Sequence, residues 1–269
     1  MGMNDLKSEF MVDKQPFYEP ILDEVELFEA AYDVRVTLML KGPTGCGKSR
    51  FVEYMAHRLG KPLVTVVCNE DMTASDLVGR YLIDEKGTRW QDGPLTLAAK
   101  MGAICYLDEI VEARQDTIVV IHPLTDHRRV LPLEKKGELL KVHEDFQLVI
   151  SYNPGYQSVM KDLKQSTKQR FSCLKFNYPV PDIETEVLCK ETGIEPDKAR
   201  NLVEVAKCSR NLIGHGLEEG ISTRLLVFAA QLINQGVEPV NACKMALIRP
   251  IKDDVEVEET LLEVVNSLF

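Results

Sequence analysis

No apolar run in this sequence approaches the roughly eighteen residues that a membrane-crossing helix needs, and no signal-peptide core is present. Membrane insertion is therefore not expected, and the expected location is the cytoplasm. Positive charge is also scarce. The 32 Lys and Arg residues face 42 Asp and Glu, a net −10, which argues against a general nucleic-acid surface while leaving room for a local basic groove. Paired cysteines are missing too. Cys46, Cys68, Cys105, Cys173, Cys189, Cys208 and Cys243 are odd in number and form no C-x-x-C pair, so they read as reduced thiols. Three of them lie in or beside apolar strand patterns, where a small buried hydrophobe is the natural reading rather than a metal ligand. No internal repeat, heptad run or low-complexity tract occurs. What remains, at 269 residues with 45% apolar and 28% charged side chains, is a globular protein with one large domain or a large one and a smaller companion.

Against that background one stretch stands out. Residues 42–49 read GPTGCGKS, directly after the apolar run VRVTLMLK. Gly42, Gly45, Gly47, Lys48 and Ser49 satisfy the spacing G-x-x-x-x-G-K-[ST] of a phosphate-binding Walker A loop. Glycines let the backbone turn its N–H groups inward around a phosphate, Lys48 reaches the β/γ-phosphates, and the Ser49 hydroxyl is placed to ligate Mg²⁺. The context agrees. After the loop, Phe51, Met55 and Leu59 recur at helical spacing in SRFVEYMAHRLG, a helix expected to end at Gly60. The expected nucleotide-binding set is Gly42, Pro43, Thr44, Gly45, Cys46, Gly47, Lys48, Ser49 and Arg50. An ordinary Gly-rich strand-to-helix turn is the bland alternative.

From Val34 to about Pro179, short apolar strands alternate with helices: VRVTLML, PLVTVVC, AICYLDE, FQLVISYN and CLKFNYP. Such runs belong in a parallel sheet with helices on both faces. From Pro181 to Phe269 the pattern is helical, with segments expected around 184–192, 196–210, 223–235, 239–247 and 254–267. The fold class is thus α/β followed by a small all-helical lid. Residues 1–180 would form the nucleotide-binding domain and 181–269 the lid, joined near YPVPD, where Pro179 and Pro181 break regular structure. Two segments depart from the β/α alternation and read as inserted β-hairpins, 80–90 around Lys86 and Gly87, and 128–142 around Lys136 and Gly137. The acidic run Asp253, Asp254, Glu256, Glu258, Glu259 and Glu263 reads as a solvated helix face.

Five further positions bear on phosphate chemistry. GAICYLDEI ends a strand in Asp108 and Glu109: Asp108 would hold Mg²⁺ directly or through water, and Glu109 would polarise a water for attack on the γ-phosphate. Asn153, at the tip of FQLVISYN, would orient that water if its strand lies beside the two Walker strands; alone, Asn-Pro-Gly reads equally well as a turn. Arg170 closes the apparent helix LKQSTKQRF and would neutralise charge at a neighbouring subunit's γ-phosphate, which demands a ring or a pair. Arg224, opening a lid helix in GISTRLL, would reach the phosphates of its own chain. The bland alternatives are a surface arginine at 170 and, at 224, a cap-region arginine in a local salt bridge.

In this order and spacing, the Walker pair, Asn153, Arg170 and Arg224 resemble an AAA+ ATPase with its sensor 1, arginine finger and sensor 2. The hairpins resemble the two inserts of the MoxR branch. Within it, LKGPTGCGKSRFVEYMAHRLGKPL, TASDLVGRYL, WQDGPLT, CYLDEIVEARQDT, VISYNPGYQS and STKQRF resemble the CbbQ/NirQ/NorQ group over nearly the whole chain. The resemblance implies a homo-hexameric ring that uses ATP and Mg²⁺ and acts with a von Willebrand factor A domain adaptor. It implies remodelling of rubisco in members of the CbbQ type, to which this chain leans, and maturation of nitric oxide reductase in the NorQ and NirQ types. One departure matters: MoxR proteins often follow the DE pair with Ile-Asn-Arg, whereas Ile110 is followed here by Val111 and Glu112. A small-molecule kinase and a non-hydrolysing ATP-dependent scaffold are the rivals. The kinase leaves Asn153, Arg170 and the helical tail without roles.

Overall fold

The computed structural model describes residues 3–85, 87–154, 162–215, 217–251 and 255–269. Lys86, Gly155–Ser158, Asp253 and Asp254, which figure in the expectations above, lie outside the described residues. Among the described residues nine strands form: β1 (Leu38–Lys41), β2 (Leu63–Val67), β3 (Gly79–Asp84), β4 (Gly87–Asp92), β5 (Ile104–Asp108), β6 (Val130–Leu133), β7 (Glu138–Lys141), β8 (Gln147–Tyr152) and β9 (Ser172–Lys175). Five of them build one parallel sheet in the order β2-β5-β8-β1-β9. Burial follows that order. Every residue of β8, in the middle of the sheet, is buried, whereas β2 and β9 at its edges are partly exposed. The two polar side chains that this places inside both have partners: Gln147 Nε2 donates to Val36 O at 2.5 Å, and Ser151 Oγ to Asp108 Oδ1 at 2.5 Å.

The expected hairpins are present as separate two-stranded antiparallel sheets. In β3–β4, Tyr81 pairs directly with Trp90, the rings meeting edge to face at 5.2 Å. In β6–β7, Leu131 and Leu133 point into the core while Leu139 is exposed, so this hairpin is half buried and not mere decoration.

By its contacts the chain divides into two compact units. One comprises Met1–Pro16, Leu22–Lys41 and Ser49–Lys175; the other comprises Phe17–Ile21, Gly42–Lys48 and Phe176–Phe269. The first holds the parallel sheet and both hairpins around a core that includes Leu107, Ile110, Val111, Leu148 and Ile150. Val111 is buried there, so the position that carries Asn in the MoxR pattern is a core position in this chain. Cys68 and Cys105 are buried in this unit as well, but Cys173 on the edge strand β9 is exposed.

In the second unit the helices are Pro181–Thr192, Pro196–Asn211, Thr223–Asn234, Pro239–Cys243 and Val255–Leu268. The first begins earlier than the periodicity implied. Pro181 is no breaker there, since the first helical turn has no N–H to lose and favours its fixed φ. The expected helix over 239–247 changes at Lys244 into a π-helical turn, Lys244–Ile248, in which Arg249 N–H reaches back to Lys244 O at 3.2 Å.

An ion pair with a fully buried carboxylate and a largely buried guanidinium joins two helices of this unit. Both Glu184 oxygens accept from Arg210, each at 2.7 Å, and Thr223 Oγ1 adds a bond of 2.6 Å to Oε1. The Arg210 guanidinium also lies over the Tyr178 ring, 3.9 Å from its centroid. Removing one partner strands a buried charge. Arg210→Met should cost about 3–5 kcal/mol in urea denaturation followed by circular dichroism, and adding Glu184→Met should return much of it. Equal losses in the single and double variants would show that the pair is not what holds these helices.

Candidate active site

The loop 42–49, the candidate phosphate loop, begins where β1 ends. Gly45 has φ +66°, and a Cβ placed on it would stand 2.7 Å from Ser222 Oγ, so both conformation and space require glycine. Gly47, at φ +96°, is required by conformation alone, with open space around it. Lys48 opens the helix Lys48–Leu59 and is buried, its Nζ donating to Gly42 O at 2.9 Å and Pro43 O at 2.6 Å. Two carbonyl dipoles thus hold a cation that a phosphate would hold better. Burial raises the Cys46 thiol above its ordinary range, more than Lys48 lowers it, so Cys46 serves as packing rather than as a thiolate. Arg50 is exposed on the second helical position after Lys48.

Residues 42–48 group with the helical unit, and their contacts there are specific. Tyr178 OH donates to Thr44 O at 3.3 Å, and Thr44 N–H donates to Glu219 Oε1 at 3.3 Å. Ser222, the residue against Gly45, also caps the helix Thr223–Asn234 by accepting from Leu225 N–H. Arg224 is exposed in the first turn of that helix, its Cβ 3.3 Å from the Cβ position of Gly45.

In the sheet unit, the carboxyl ends of β5 and β8 carry the acidic pair. Asp108 Oδ1 accepts from Tyr106 OH at 2.7 Å and from Ser151 Oγ at 2.5 Å, while Oδ2 accepts from Ser49 Oγ at 3.3 Å. Burial and the Asp108 charge push the Tyr106 phenol well above its ordinary range, so it stays protonated and donates. Ser151 Oγ accepts in turn from Glu109 N–H at 2.7 Å. Glu109 is left-handed, at φ 54° and ψ 46°, a conformation that costs a non-glycine residue about 1–2 kcal/mol. The backbone therefore turns out of β5 directly after Asp108, and the Ser151 hydroxyl ties both acidic residues to β8. Burial, with Asp108 and Glu109 nearby, pushes the Cys68 thiol up to about 12.

Asn153 follows β8 directly, and β8 runs between β1 and β5, with Lys41 paired to Tyr152. The condition set on this residue, a strand beside both Walker strands, is thus met. Arg170 lies just beyond a short helix, Gln165–Lys168, and is about one-third exposed. Its Nη1 donates to Asp126 Oδ1 at 2.5 Å, and together with Arg128 it holds the Asp126 carboxyl below its usual range. Tyr106, Ser151, Tyr178, Glu219 and Ser222 escaped sequence reasoning. The Y-x-D spacing in β5, which puts Tyr106 and Asp108 on one strand face, was a usable signal for the first. Glu219 had none, since 175 positions separate it from Thr44.

Two family models match the chain: an AAA domain of the dynein-related subfamily over residues 37–171, and the CbbQ/NirQ/NorQ C-terminal region over residues 184–268. Protein CbbQ of Hydrogenophilus thermoluteolus is 64% identical over 98% of this chain and 99% of its own length. The chain belongs to the CbbQ/NirQ/NorQ family of AAA+ ATPases. The denitrification regulatory protein NirQ of Pseudomonas aeruginosa is 52% identical over 95% of this chain and 98% of that one. A Thermotoga maritima RuvB mutant structure shares the fold alone, with a TM-score of 0.55 at 13% identity, covering 96% of this chain and 73% of that one. Membership in this family carries nucleotide binding and ATP hydrolysis.

The donor set agrees with magnesium as an ion shared with substrate. Ser49 Oγ and Asp108 Oδ2, both hard oxygen donors, already lie 3.3 Å apart, and no cluster of three or more acidic, His or Cys ligands exists among the described residues. Mg²⁺ keeps waters and takes phosphate oxygens, so it needs one or two protein ligands rather than a cage. Glu109→Gln keeps shape but loses the ability to take a proton. It should bind ATP, as read by nucleotide titration, while phosphate release falls at least about a hundredfold. Undiminished turnover would mean that another carboxylate is the base.

Proposed function

We propose that the chain is the motor subunit of a cytoplasmic homo-hexameric ring that spends ATP on remodelling rubisco, freeing it from inhibitory sugar phosphates with a von Willebrand factor A domain adaptor. The observation that carries the client assignment is the gap between 64% identity to CbbQ and 52% to NirQ, both over nearly the whole chain. Maturation of nitric oxide reductase is the second reading, favoured by the half-identity to a denitrification regulatory protein.

In this reading Lys48 exchanges the carbonyls of Gly42 and Pro43 for the β/γ-phosphates, a full charge in place of two dipoles. Ser49 and Asp108 hold Mg²⁺, which when bound neutralises phosphate charge. Tyr106 and Ser151 fix the Asp108 carboxylate through hydrogen bonds, so it need not reorganise. Glu109 takes the proton of the attacking water, and Asn153 orients that water. Arg170 acts on the phosphates of the neighbouring subunit. Its own Asp126 supplies the negative charge it rests on until a phosphate takes that place. Arg224, next to Gly45, reads the nucleotide of its own chain.

The test is a reconstitution. The purified chain, its adaptor and ATP should restore carboxylation to rubisco blocked by a tight sugar phosphate. Arg170→Ala should bind ATP normally yet fail to restore it, since an arginine finger is worth about 10³ to 10⁵ in rate. Rubisco that stays blocked while nitric oxide reductase gains activity in the same preparation would move the assignment to the second reading.

A further inference from the structure

The phosphate loop already holds an anion of its own chain. Thr44 N–H donates to the Glu219 carboxylate at 3.3 Å, within one compact unit, and two neighbours of Glu219, Ser222 and Arg224, lie against Gly45. The segment 217–224 therefore lies against Thr44 and Gly45 and brings a carboxylate to the Thr44 amide. Inward-facing amides of such a loop are the donors that bind phosphate. The Glu219 carboxylate, on the Thr44 amide of this loop, affects an incoming nucleotide in two ways. It competes for the donor, and it adds repulsion in the region where phosphate charge must collect. The first effect is the same for any nucleotide that needs the amide, but the second grows with the charge of the ligand.

We propose that Glu219 sets the nucleotide preference of the loop: it is a built-in counter-anion that weakens binding of triphosphate more than of diphosphate. The proposal rests on the reading of residues 42–49 as the nucleotide loop. Lys48 and Arg224 do not reverse its sign, because removing one negative charge beside fixed cations raises the positive potential of the loop in any arrangement. Nor would a distant carboxylate do the same. At physiological salt the screening length is about 8 Å, so an acid at hydrogen-bond range is felt where one exposed to solvent is damped.

The test uses the full chain and titrates a slowly hydrolysed fluorescent ATP analogue and fluorescent ADP against wild type, Glu219→Gln, Glu218→Gln and Lys48→Ala. Gln keeps the size of Glu219 and an oxygen for the Thr44 amide, so the change is one of charge. The neighbouring Glu218 is exposed and controls for net charge. Glu219→Gln should tighten the ATP analogue about five- to tenfold and ADP about two- to threefold, the range expected for one unit charge a few ångströms away in a partly wet site. Glu218→Gln should change neither, and raising salt should narrow the difference between wild type and Glu219→Gln. Equal tightening of both nucleotides, no change, or weaker binding by Glu219→Gln would overturn the proposal. Those results would leave the loop reading intact provided Lys48→Ala still abolishes binding. Binding unaffected by Lys48→Ala would instead overturn the loop reading and the proposal together.

Discussion

The structure around the nucleotide loop depends on the space beside Gly45. No side chain fits there, because Ser222 Oγ lies 2.7 Å from the position its Cβ would take. The residue that fills the space is also the cap of the helix Thr223–Asn234, whose buried face, including Leu226, Ala229 and Ala230, belongs to the core of the helical unit. Tyr178, on the Thr44 carbonyl, is stacked on Arg210, and Arg210 is locked to the buried Glu184. The geometry of the turn at Thr44 and Gly45 is therefore tied to that of a helical core through contacts a few ångströms long. Such packed contacts transmit strain because they hold no slack.

The acidic end of the sheet obeys a different rule. Here hydroxyl groups, not close packing, set the geometry: Tyr106 and Ser151 both donate to one oxygen of Asp108, and Ser49 donates to the other. Three hydroxyl donors on its two oxygens hold this half-buried carboxylate in one orientation. The left-handed backbone at Glu109 then separates two adjacent acids into different surroundings, one held by hydroxyls and one beyond the strand end. The proposed division of labour, an ion ligand held in place and a base next to it, rests on that separation.

Much of this was legible in the sequence because it is local. A glycine-rich turn after an apolar strand, acids at a strand end and continuous apolar runs are patterns written within a few residues. The five strands and the two hairpins appeared where those patterns put them, and the C-terminal helices differed mainly at their ends. The ends were misjudged for physical reasons: Pro181 starts a helix as readily as it breaks one, and the π turn at Lys244 leaves no mark in hydrophobic period. The partners of Thr44 were illegible for another reason. Tyr178 and Glu219 are distant in sequence and unremarkable in type, and only the folded helical unit brings them to the loop. Ser151 interrupts an apolar strand, and its buried hydroxyl has two partners there, Glu109 N–H and Asp108 Oδ1.

The central claim is that the helical unit holds the phosphate loop and so feels what the loop binds. Hydrogen–deuterium exchange of the full chain, with and without a non-hydrolysable ATP analogue, tests it directly. The account predicts that the analogue changes exchange not only in residues 42–49 but also in 176–181 and 217–224, the segments in contact with the loop. Changes confined to 42–49 and the strand ends at 108–109 and 151–153, with both helical-unit segments unaltered, would contradict it.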